Sequence, residues 1–279
     1  MKCGALIVSF NPSLDCLINN IQIIIPQVDK VVVVDNGSDN FRELEKKLSD
    51  LNVHLIANGK NKGIAYALNQ GMHYLETLNY EWVITLDQDS TCPENIIKVF
   101  TSYTNLPKIG IICPRIDYSG YSKKIDSSME IQFTDACMTS ASFTNVNAWK
   151  KVGGFAEHYF IDFVDNEFCK KLEIHGYRIV QVNYVILKHN LGDSRTIRIF
   201  FFRHLFGEHS PVRSYYIVRN NLQFIRDYKK NINVSKEILK LLYIVLEIII
   251  FSGNKRKHLF YIKKGIADFK IKKMGSINS

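Results

Sequence analysis

Two aspartates separated by one residue, Asp87 and Asp89, follow the apolar run Trp82-Val83-Ile84-Thr85-Leu86. Carboxylates just beyond the end of a buried strand can present oxygen ligands to a hard divalent cation that also binds phosphate oxygens. An Asp-x-Asp turn can equally do no more than close a strand. The pair therefore indicates a site for Mn²⁺ or Mg²⁺ only if other polar residues converge on it.

A further carboxylate stands at the end of another apolar run. Asp35 follows four valines and begins an Asn36-Gly37-Ser38 turn, where a carboxylate can accept hydrogen bonds from a base or a ribose. Further on, Lys62-Gly63 opens a helical pattern with small residues in its first turn, which lets backbone approach a phosphate at a helix N-terminus. Each motif also has a purely structural interpretation, an ordinary turn for the first and close helix packing for the second.

A repeating pattern of strands and helices must position these residues. Continuous β-branched runs are typical of strands covered on both faces, and they alternate here with segments of helical apolar spacing. The pattern predicts an α/β fold with a Rossmann-like, mostly parallel central sheet flanked by helices, which binds ligands at the carboxyl ends of its strands. The predicted strands are 5–8, 31–34, 53–56, 82–86 and 109–112, and the predicted helices are 13–25, 40–49, 63–79 and 94–104.

The second half of the chain has a less regular pattern. It predicts mixed strand and loop over 131–144, a helix over 164–175, one or two strands over 178–188 and helical structure over 197–228. We expect one catalytic domain over residues 1–225 and a helical, basic tail over residues 226–279.

The excess positive charge lies in that tail. The chain carries 36 Lys and Arg against 27 Asp and Glu, a formal net charge of +9, yet residues 1–225 hold 23 side chains of each sign and residues 226–279 hold 13 basic and 4 acidic ones. A nucleic-acid-binding protein is expected to spread basic residues over its body, so we expect no nucleic-acid partner. Six cysteines without a CxxC pair favour a reduced, cytoplasmic setting over a zinc or redox motif.

Four motifs, in their order and spacing, resemble glycosyltransferase family 2. They are Ser9-Phe10-Asn11, Asp35-Asn36-Gly37-Ser38, Asn61-x-Gly63-x-Ala65 and Leu86-Asp87-Gln88-Asp89-Ser90. The resemblance covers about residues 3–225 and implies the GT-A fold. The form Leu-Asp-Gln-Asp-Ser is similar to the rhamnosyltransferase branch, which builds bacterial surface polysaccharides.

The resemblance implies roles for the residues at the strand ends. It assigns Asp35 to the base and ribose of a nucleotide-sugar donor, Asp87 to the ribose and diphosphate, and Asp89 to the divalent metal. Asp87 is a further candidate metal ligand. The other candidate donor-binding residues are Ser9, Asn11, Asn36, Lys62, Gly63 and Gln88.

An acidic motif on the acceptor side is implied by Gly153-Gly154-Phe155 and the residues that follow it. The Glu-Asp pair of the family falls on Val164-Asp165, which makes Asp165 the expected general base and leaves Asp162 as a competitor. Acids three residues apart share a face if the helix begins early, and they are also favoured at a helix start by its dipole.

Three more candidates come from the resemblance. His189, before a nearby glycine, is a candidate ligand of the metal. Tyr216 and Arg219 lie in a segment similar to the Tyr-Tyr-x-x-Arg-Asn helix of the branch, and are candidate donor contacts, with packing inside a helix as the alternative role.

Together these residues predict an inverting, metal-dependent glycosyltransferase. A positioned carboxylate removes the proton of the acceptor hydroxyl, while a metal neutralises the leaving diphosphate. The resemblance favours transfer of L-rhamnose from dTDP-L-rhamnose. A UDP-hexose donor, or a non-catalytic subunit that binds a nucleotide-sugar, are the alternatives.

The tail indicates a membrane partner. Residues 238–251 form an apolar segment with a narrow polar stripe, and lysines follow it, as in helices that lie on anionic membrane surfaces. Packing on the catalytic domain is the alternative. A lipid-linked saccharide acceptor would suit this location, so we expect peripheral association with the inner face of the cell membrane. A homo-oligomer is left open.

Overall fold

The computed structural model describes residues 1–117, 129–188, 194–199, 202–207 and 209–278, with backbone alone at 188, 194–199 and 202–207. The chain forms two compact units. One consists of Met1–Phe160 and Val164–Asn190, and the other of Ile161–Phe163 and Leu191–Ser279.

The first unit contains an eight-stranded sheet flanked by helices. Its strands are β1 (Cys3–Ser9), β2 (Lys30–Asp35), β3 (Val53–Ala57), β4 (Trp82–Asp87), β5 (Ile109–Asp117), β6 (Ile131–Thr134), β7 (Ser142–Asn145) and β8 (Arg178–Lys188). Its α-helices are α1 (Leu14–Ile24), α2 (Phe41–Leu48), α3 (Ile64–Thr77), α4 (Ile96–Thr101), α5 (Val146–Lys151) and α6 (Val164–Ile174). Each strand and helix predicted up to residue 112 is present within a few residues of its predicted bounds.

The strand order is β3-β2-β1-β4-β7-β5-β8-β6. Strands β3, β2, β1 and β4 are parallel neighbours, β7 is antiparallel to both β4 and β5, β8 is parallel to β5, and β6 is antiparallel to β8. Six of the eight strands therefore point the same way, which confirms the mostly parallel sheet. The order reverses at β1 and β4, and such a switch point is where α/β sheets bind ligands.

The apolar runs of the central strands form the core of this unit. Val31, Val32, Val33 and Val34 in β2 are at most 1% exposed, as are Ala5, Leu6 and Ile7 in β1. Helices on both faces of the sheet cover these strands, which is why the runs are continuous rather than alternating. The polar residues begin only where each strand ends, so the core leaves them at the carboxyl edge.

The second unit contains a hairpin and three helices. These are β9 (Ser194–Ile199), β10 (Phe202–Gly207), α7 (Pro211–Tyr228), α8 (Val234–Phe251) and α9 (Lys255–Lys270). The helical prediction for 197–199 and 202–207 was wrong, because β-branched and aromatic residues dominate these segments and favour an antiparallel pair. The boundary predicted at residue 225 falls inside α7, so the basic tail packs with α7 within this unit.

The three helices share a small apolar core. Val218 of α7, Leu241 and Ile248 of α8, and Ile262 of α9 are buried together. A Cβ atom at Gly265 would lie 2.7 Å from the carbonyl oxygen of Tyr215, so this glycine lets α9 approach α7 closely. None of the helices in the described part of the chain is both long and apolar enough to cross a membrane.

Candidate active site

Asp35 lies at the carboxyl edge of the sheet and is 1% exposed. Its Oδ2 accepts hydrogen bonds from the backbone N–H groups of Gly37 and Ser38, both at 3.0 Å. Its Oδ1 accepts from the hydroxyl of Ser38, and from the hydroxyl of Ser9 at 3.4 Å. Four donors of the protein therefore surround this carboxylate, which closes the turn after β2 and ties it to β1.

Two asparagines extend the same network. The Nδ2 of Asn36 donates to Asn61 at 3.1 Å, and its Oδ1 accepts from the backbone N–H of Lys62 at 3.1 Å. The backbone N–H of Asn11 donates to Ser38 at 2.9 Å, which fastens the loop after β1 to the turn after β2. The structure thus brings together the candidates predicted at the first two strand ends and at the start of α3.

The backbone N–H groups at the N-terminus of α3 donate hydrogen bonds to other residues of the protein. The N–H of Gly63 donates to Asn61 at 2.9 Å, and the N–H of Ile64 donates to the carbonyl of Phe160 at 2.8 Å. Gly63 has a φ of 89°, and a Cβ there would lie 2.7 Å from the Phe160 carbonyl oxygen. This geometry favours the packing interpretation of Gly63. The Nζ of Lys62 lies 3.2 Å from the hydroxyl of Tyr66.

Asp87 ends β4 and is partly buried, whereas Asp89 is exposed. The turn between them is held by Gln88, whose Oε1 accepts from the backbone N–H of Phe10 at 2.8 Å, and whose carbonyl accepts from Asn20 at 3.2 Å. Asp87 pairs in register with Val8 of β1, so it stands beside the Ser9–Asp35 network. The three predicted strand ends therefore meet at one edge.

The two aspartates fit a hard divalent cation in chemistry, since both offer carboxylate oxygens. The described residues hold no group of three or more His, Cys, Asp or Glu side chains that could bind a metal. A cation at Asp87 and Asp89 would then take further ligands from phosphate oxygens and water. His189, the other predicted metal ligand, lies outside the described residues.

Asp165 lies in the first turn of α6 and is partly buried. One of its oxygens accepts a hydrogen bond of 2.9 Å from the N–H of Asn166. The side chain lines a small cavity together with Thr85 of β4. Because Thr85 precedes Asp87 by two residues, Asp165 lies close to the strand whose end carries the paired aspartates.

Asp162, the competitor for the role of base, belongs to the second unit. Its carboxylate binds the guanidinium of Arg213, with Nη2–Oδ1 and Nε–Oδ1 distances of 2.9 and 3.0 Å. Asn220 donates to the carbonyl of Asp162 at 3.0 Å and to that of Ile161 at 2.6 Å. The side chain of Asp162 is 12% exposed, so these contacts hold it within the second unit.

The family model described as Glycosyl transferase family 2 matches residues 6–163, more than half of the chain. This chain belongs to glycosyltransferase family 2. The matched segment contains β2 to β4 and the end of β1, and the ends of these strands carry the network of Asp35, Asn36, Asp87 and Gln88. The family resemblance of the sequence motifs is confirmed.

A relative of this glycosyltransferase over nearly its whole length is the protein named dTDP-rhamnosyl transferase RfbF, from Shigella flexneri. The two are 30% identical over 279 residues, a match that covers 94% of this chain and 92% of the relative. The similarity to a rhamnosyltransferase-like branch is therefore confirmed.

Solved structures with the same fold include two glycosyltransferases. The mannosyltransferase PcManGT from Pyrobaculum calidifontis, in complex with GDP-Man and Mn²⁺, has a TM-score of 0.58 at 13% identity, covering 95% of this chain and 73% of that one. TarS 1-349 from S. aureus, in complex with UDP-GlcNAc, has a TM-score of 0.58 at 15% identity, covering 96% of this chain and 80% of that one. At these identities the likeness shows the fold, and the predicted GT-A type is confirmed.

Tyr216 and Arg219 of the glycosyltransferase lie inside the second unit. Arg219 is 0% exposed, and its Nη1 donates to the hydroxyl of Tyr215 at 3.0 Å and to the carbonyl of Gly275 at 2.7 Å. The hydroxyl of Tyr216 accepts from the N–H of Ile277 at 2.9 Å. These contacts fasten the end of the chain to α7, which is the packing role; the donor contact stays a prediction.

The sequence did not predict that three cysteines, Cys113, Cys137 and Cys169, lie together near Asp165. The Sγ of Cys137 lies 3.8 Å from that of Cys169 on α6, and both residues line the cavity that Asp165 shares. Hydrogen bonds from Cys113, then Cys169 and Ser142, hold the pKa of Cys137 well below its usual range. Cysteines so far apart along the chain carry no spacing signal, because only the fold brings them together.

Proposed function

We propose that this glycosyltransferase transfers L-rhamnose from dTDP-L-rhamnose to a saccharide acceptor, with inversion at the anomeric carbon and with Mn²⁺ or Mg²⁺. The observation that carries the reaction type is that Asp165 lies close to Thr85, two residues before Asp87 at the end of β4. The donor is supported by the 30% identity to a relative named dTDP-rhamnosyl transferase.

In this mechanism Asp165 is the general base. Its carboxylate takes the proton of the acceptor hydroxyl while the hydroxyl oxygen bonds to the anomeric carbon, and the bond from that carbon to the diphosphate breaks on the opposite face. The proton ends on Asp165 and the electron pair leaves with dTDP. A base on one face and a leaving group on the other give inversion.

The donor side rests on the strand-end network. Asp87 and Asp89 would hold the divalent cation, which when bound neutralises charge on the leaving diphosphate. The hydrogen bonds described above hold this edge of the sheet in one conformation, and they involve Ser9, Asn11, Asn36 and Gln88. Lys62 supplies positive charge beside the edge. Preorganised polar groups of this kind act without reorganising during the reaction.

The acceptor is proposed to be a lipid-linked saccharide in the assembly of a bacterial surface polysaccharide. The enzyme would then work at the inner face of the cell membrane, bound peripherally. The support is the charge of the last 54 residues, which contain 13 basic and 4 acidic side chains. Basic segments of this kind are attracted to anionic lipid surfaces.

A nucleotide-sugar panel tests the proposal. The full chain is incubated with dTDP-L-rhamnose, UDP-glucose or UDP-galactose, with Mn²⁺, with Mg²⁺ or with EDTA, and nucleotide release is followed with and without acceptor. We expect metal-dependent release of dTDP and a product of inverted anomeric configuration by NMR. Preferential release of UDP from a UDP-hexose would show that the donor is a UDP-hexose and not dTDP-L-rhamnose. No metal-dependent release with any donor or acceptor would instead support a binding subunit.

A further inference from the structure

Helix α8 carries apolar side chains on two opposite sides. Leu241 and Ile248 are buried against α7 and α9. On the other side a stripe of four large residues runs along the helix at spacings of three and four, which places them on one face. We call it the α8 stripe, and its members with their exposed fractions are Leu239 (67%), Leu242 (58%), Leu246 (54%) and Ile250 (47%).

The α8 stripe is a contiguous apolar patch and not a set of isolated exposed residues. Single exposed leucines are common on folded proteins, whereas a contiguous apolar patch marks an interaction surface. Ile238 and Tyr243, 42% and 55% exposed, flank the stripe and widen it. The inner face alone supplies the packing with α7 and α9, so the stripe is not needed for the core of this unit.

The charge around the stripe is mostly positive. Lys236 and Lys240 are exposed near its start, and Lys255-Arg256-Lys257 are exposed just beyond its end. The acidic groups nearby are engaged within the unit. Glu237 pairs with Lys240 at 2.7 Å, and Glu247 of α8 hydrogen-bonds with Tyr243. Asp268 is buried and accepts from Tyr215 at 2.8 Å, and Asp227 accepts from Gln223.

We propose that the α8 stripe docks this enzyme on an anionic membrane surface, with its leucines in the interface and the flanking basic residues against lipid headgroups. Charge complementarity favours a membrane over a second copy of the chain as the partner of the α8 stripe, because a second copy would bring two strongly positive faces together. A lipid surface supplies both the apolar phase and the negative charge. The inference rests on the proposed membrane-side acceptor for its biological purpose and on the α8 stripe for its physical basis.

Point substitutions test the stripe better than truncation does. Removing α9 would break the hydrogen bond between Ser214 and His258 at 2.7 Å and that between Tyr215 and Asp268, and would damage α7 itself. The double variant Leu242→Ser with Leu246→Ser changes only exposed positions. The matched control is Phe133→Ser, which alters an equally exposed residue (54%) in β6 of the first unit.

The measurement is co-sedimentation of the full-length enzyme with vesicles of phosphatidylcholine alone or mixed with phosphatidylglycerol. We expect binding to the mixed vesicles only, and a fall as salt rises. The double variant should lose binding by about tenfold or more for each leucine. Replacing Lys255, Arg256 and Lys257 by Gln should weaken it by about fivefold for each charge. Phe133→Ser should bind like the wild type.

Equal binding to both kinds of vesicle, or unchanged binding of the double variant, would overturn the proposal. So would a wild-type dimer in light scattering that the double variant converts to a monomer, since a second copy would then be the occupant. Donor turnover is assayed separately with a soluble acceptor. Vesicle binding without rhamnosyl transfer would refute the proposed function alone, and transfer without vesicle binding would refute the docking surface alone.

Discussion

The guanidinium of Arg213 binds the carboxylate of Asp162 through two nitrogens, at 2.9 and 3.0 Å to the same oxygen. Asp162 and Asp165 come from one acidic motif, but only Asp165 lines the cavity beside Thr85. Because this contact engages Asp162 within the second unit, Asp165 stays the proposed base.

Asp165→Asn should abolish most transfer without loss of the fold. The amide keeps the shape of the side chain but cannot accept the acceptor proton, so we expect the transfer rate to fall by about 10²- to 10⁴-fold. Initial rates with dTDP-L-rhamnose and donor binding by calorimetry are measured on the same preparation, and donor affinity should hold. Asp162→Asn is the matched control, expected to keep most transfer. Full activity of Asp165→Asn would move the role of base elsewhere.

Gly63→Ala should destabilise the enzyme more than Gly59→Ala does. Both glycines have positive φ, at 89° and 66°, so alanine is strained at either, by about 1–3 kcal/mol. The ψ of 156° at Gly63 lies in a region that only glycine readily adopts. Only at Gly63 would the new Cβ meet the backbone of Phe160, which adds about 1–3 kcal/mol. Urea denaturation measures both differences. Equal stabilities with weaker donor binding in Gly63→Ala would instead support the predicted donor contact.

Asp35→Asn should lower stability as well as donor binding. An amide nitrogen would replace one oxygen amid the N–H groups of Gly37 and Ser38 and the hydroxyl of Ser9, which leaves a buried polar group unsatisfied at a cost of about 1–3 kcal/mol. Thermal denaturation and calorimetry with dTDP are the two measurements. Asp39→Asn, at an exposed position in the same turn, is the control and should change little. An unchanged melting temperature for Asp35→Asn would refute the structural role.

Stability should fall as the solution is acidified through the range in which histidine titrates. Burial, and then the nearby charge of Arg213, lower the pKa of His209 below its ordinary value of 6.5, while Asp162 opposes the shift. The unfolded chain therefore binds this proton more readily than the folded one, so the stability contributed by neutral His209 is complete above about pH 6.5 and is lost as the pH falls further. Melting temperatures between about pH 8 and about pH 5 measure this. His209→Gln should show a weaker dependence, and an identical profile would contradict the assignment.

Much of the first unit could be predicted from the sequence because its signals are local. Four β-branched valines before Asp35 favour a buried strand, and the polar residues after each run lie at one edge once the strands are parallel. The antiparallel pair of β9 and β10 was not predicted because arginines lie between the β-branched and aromatic residues and obscure the alternation of a strand. The clustering of Cys113, Cys137 and Cys169 could not be predicted, since no local sequence pattern indicates which distant segments come into contact.

By itself the sequence determined the order of strands and helices up to residue 112, the polar edge of the sheet, the membership of glycosyltransferase family 2 and the position of the positive charge. The family membership follows from the resemblance of four ordered motifs. The other three follow from side-chain period, turn chemistry and residue counts, which act over a few residues. The tertiary structure decided that Arg213 engages Asp162, that the N-terminus of α3 bonds to Phe160, and that α8 buries one apolar face and exposes the other. Such choices depend on which distant segments pack together, and packing is a property of the folded chain.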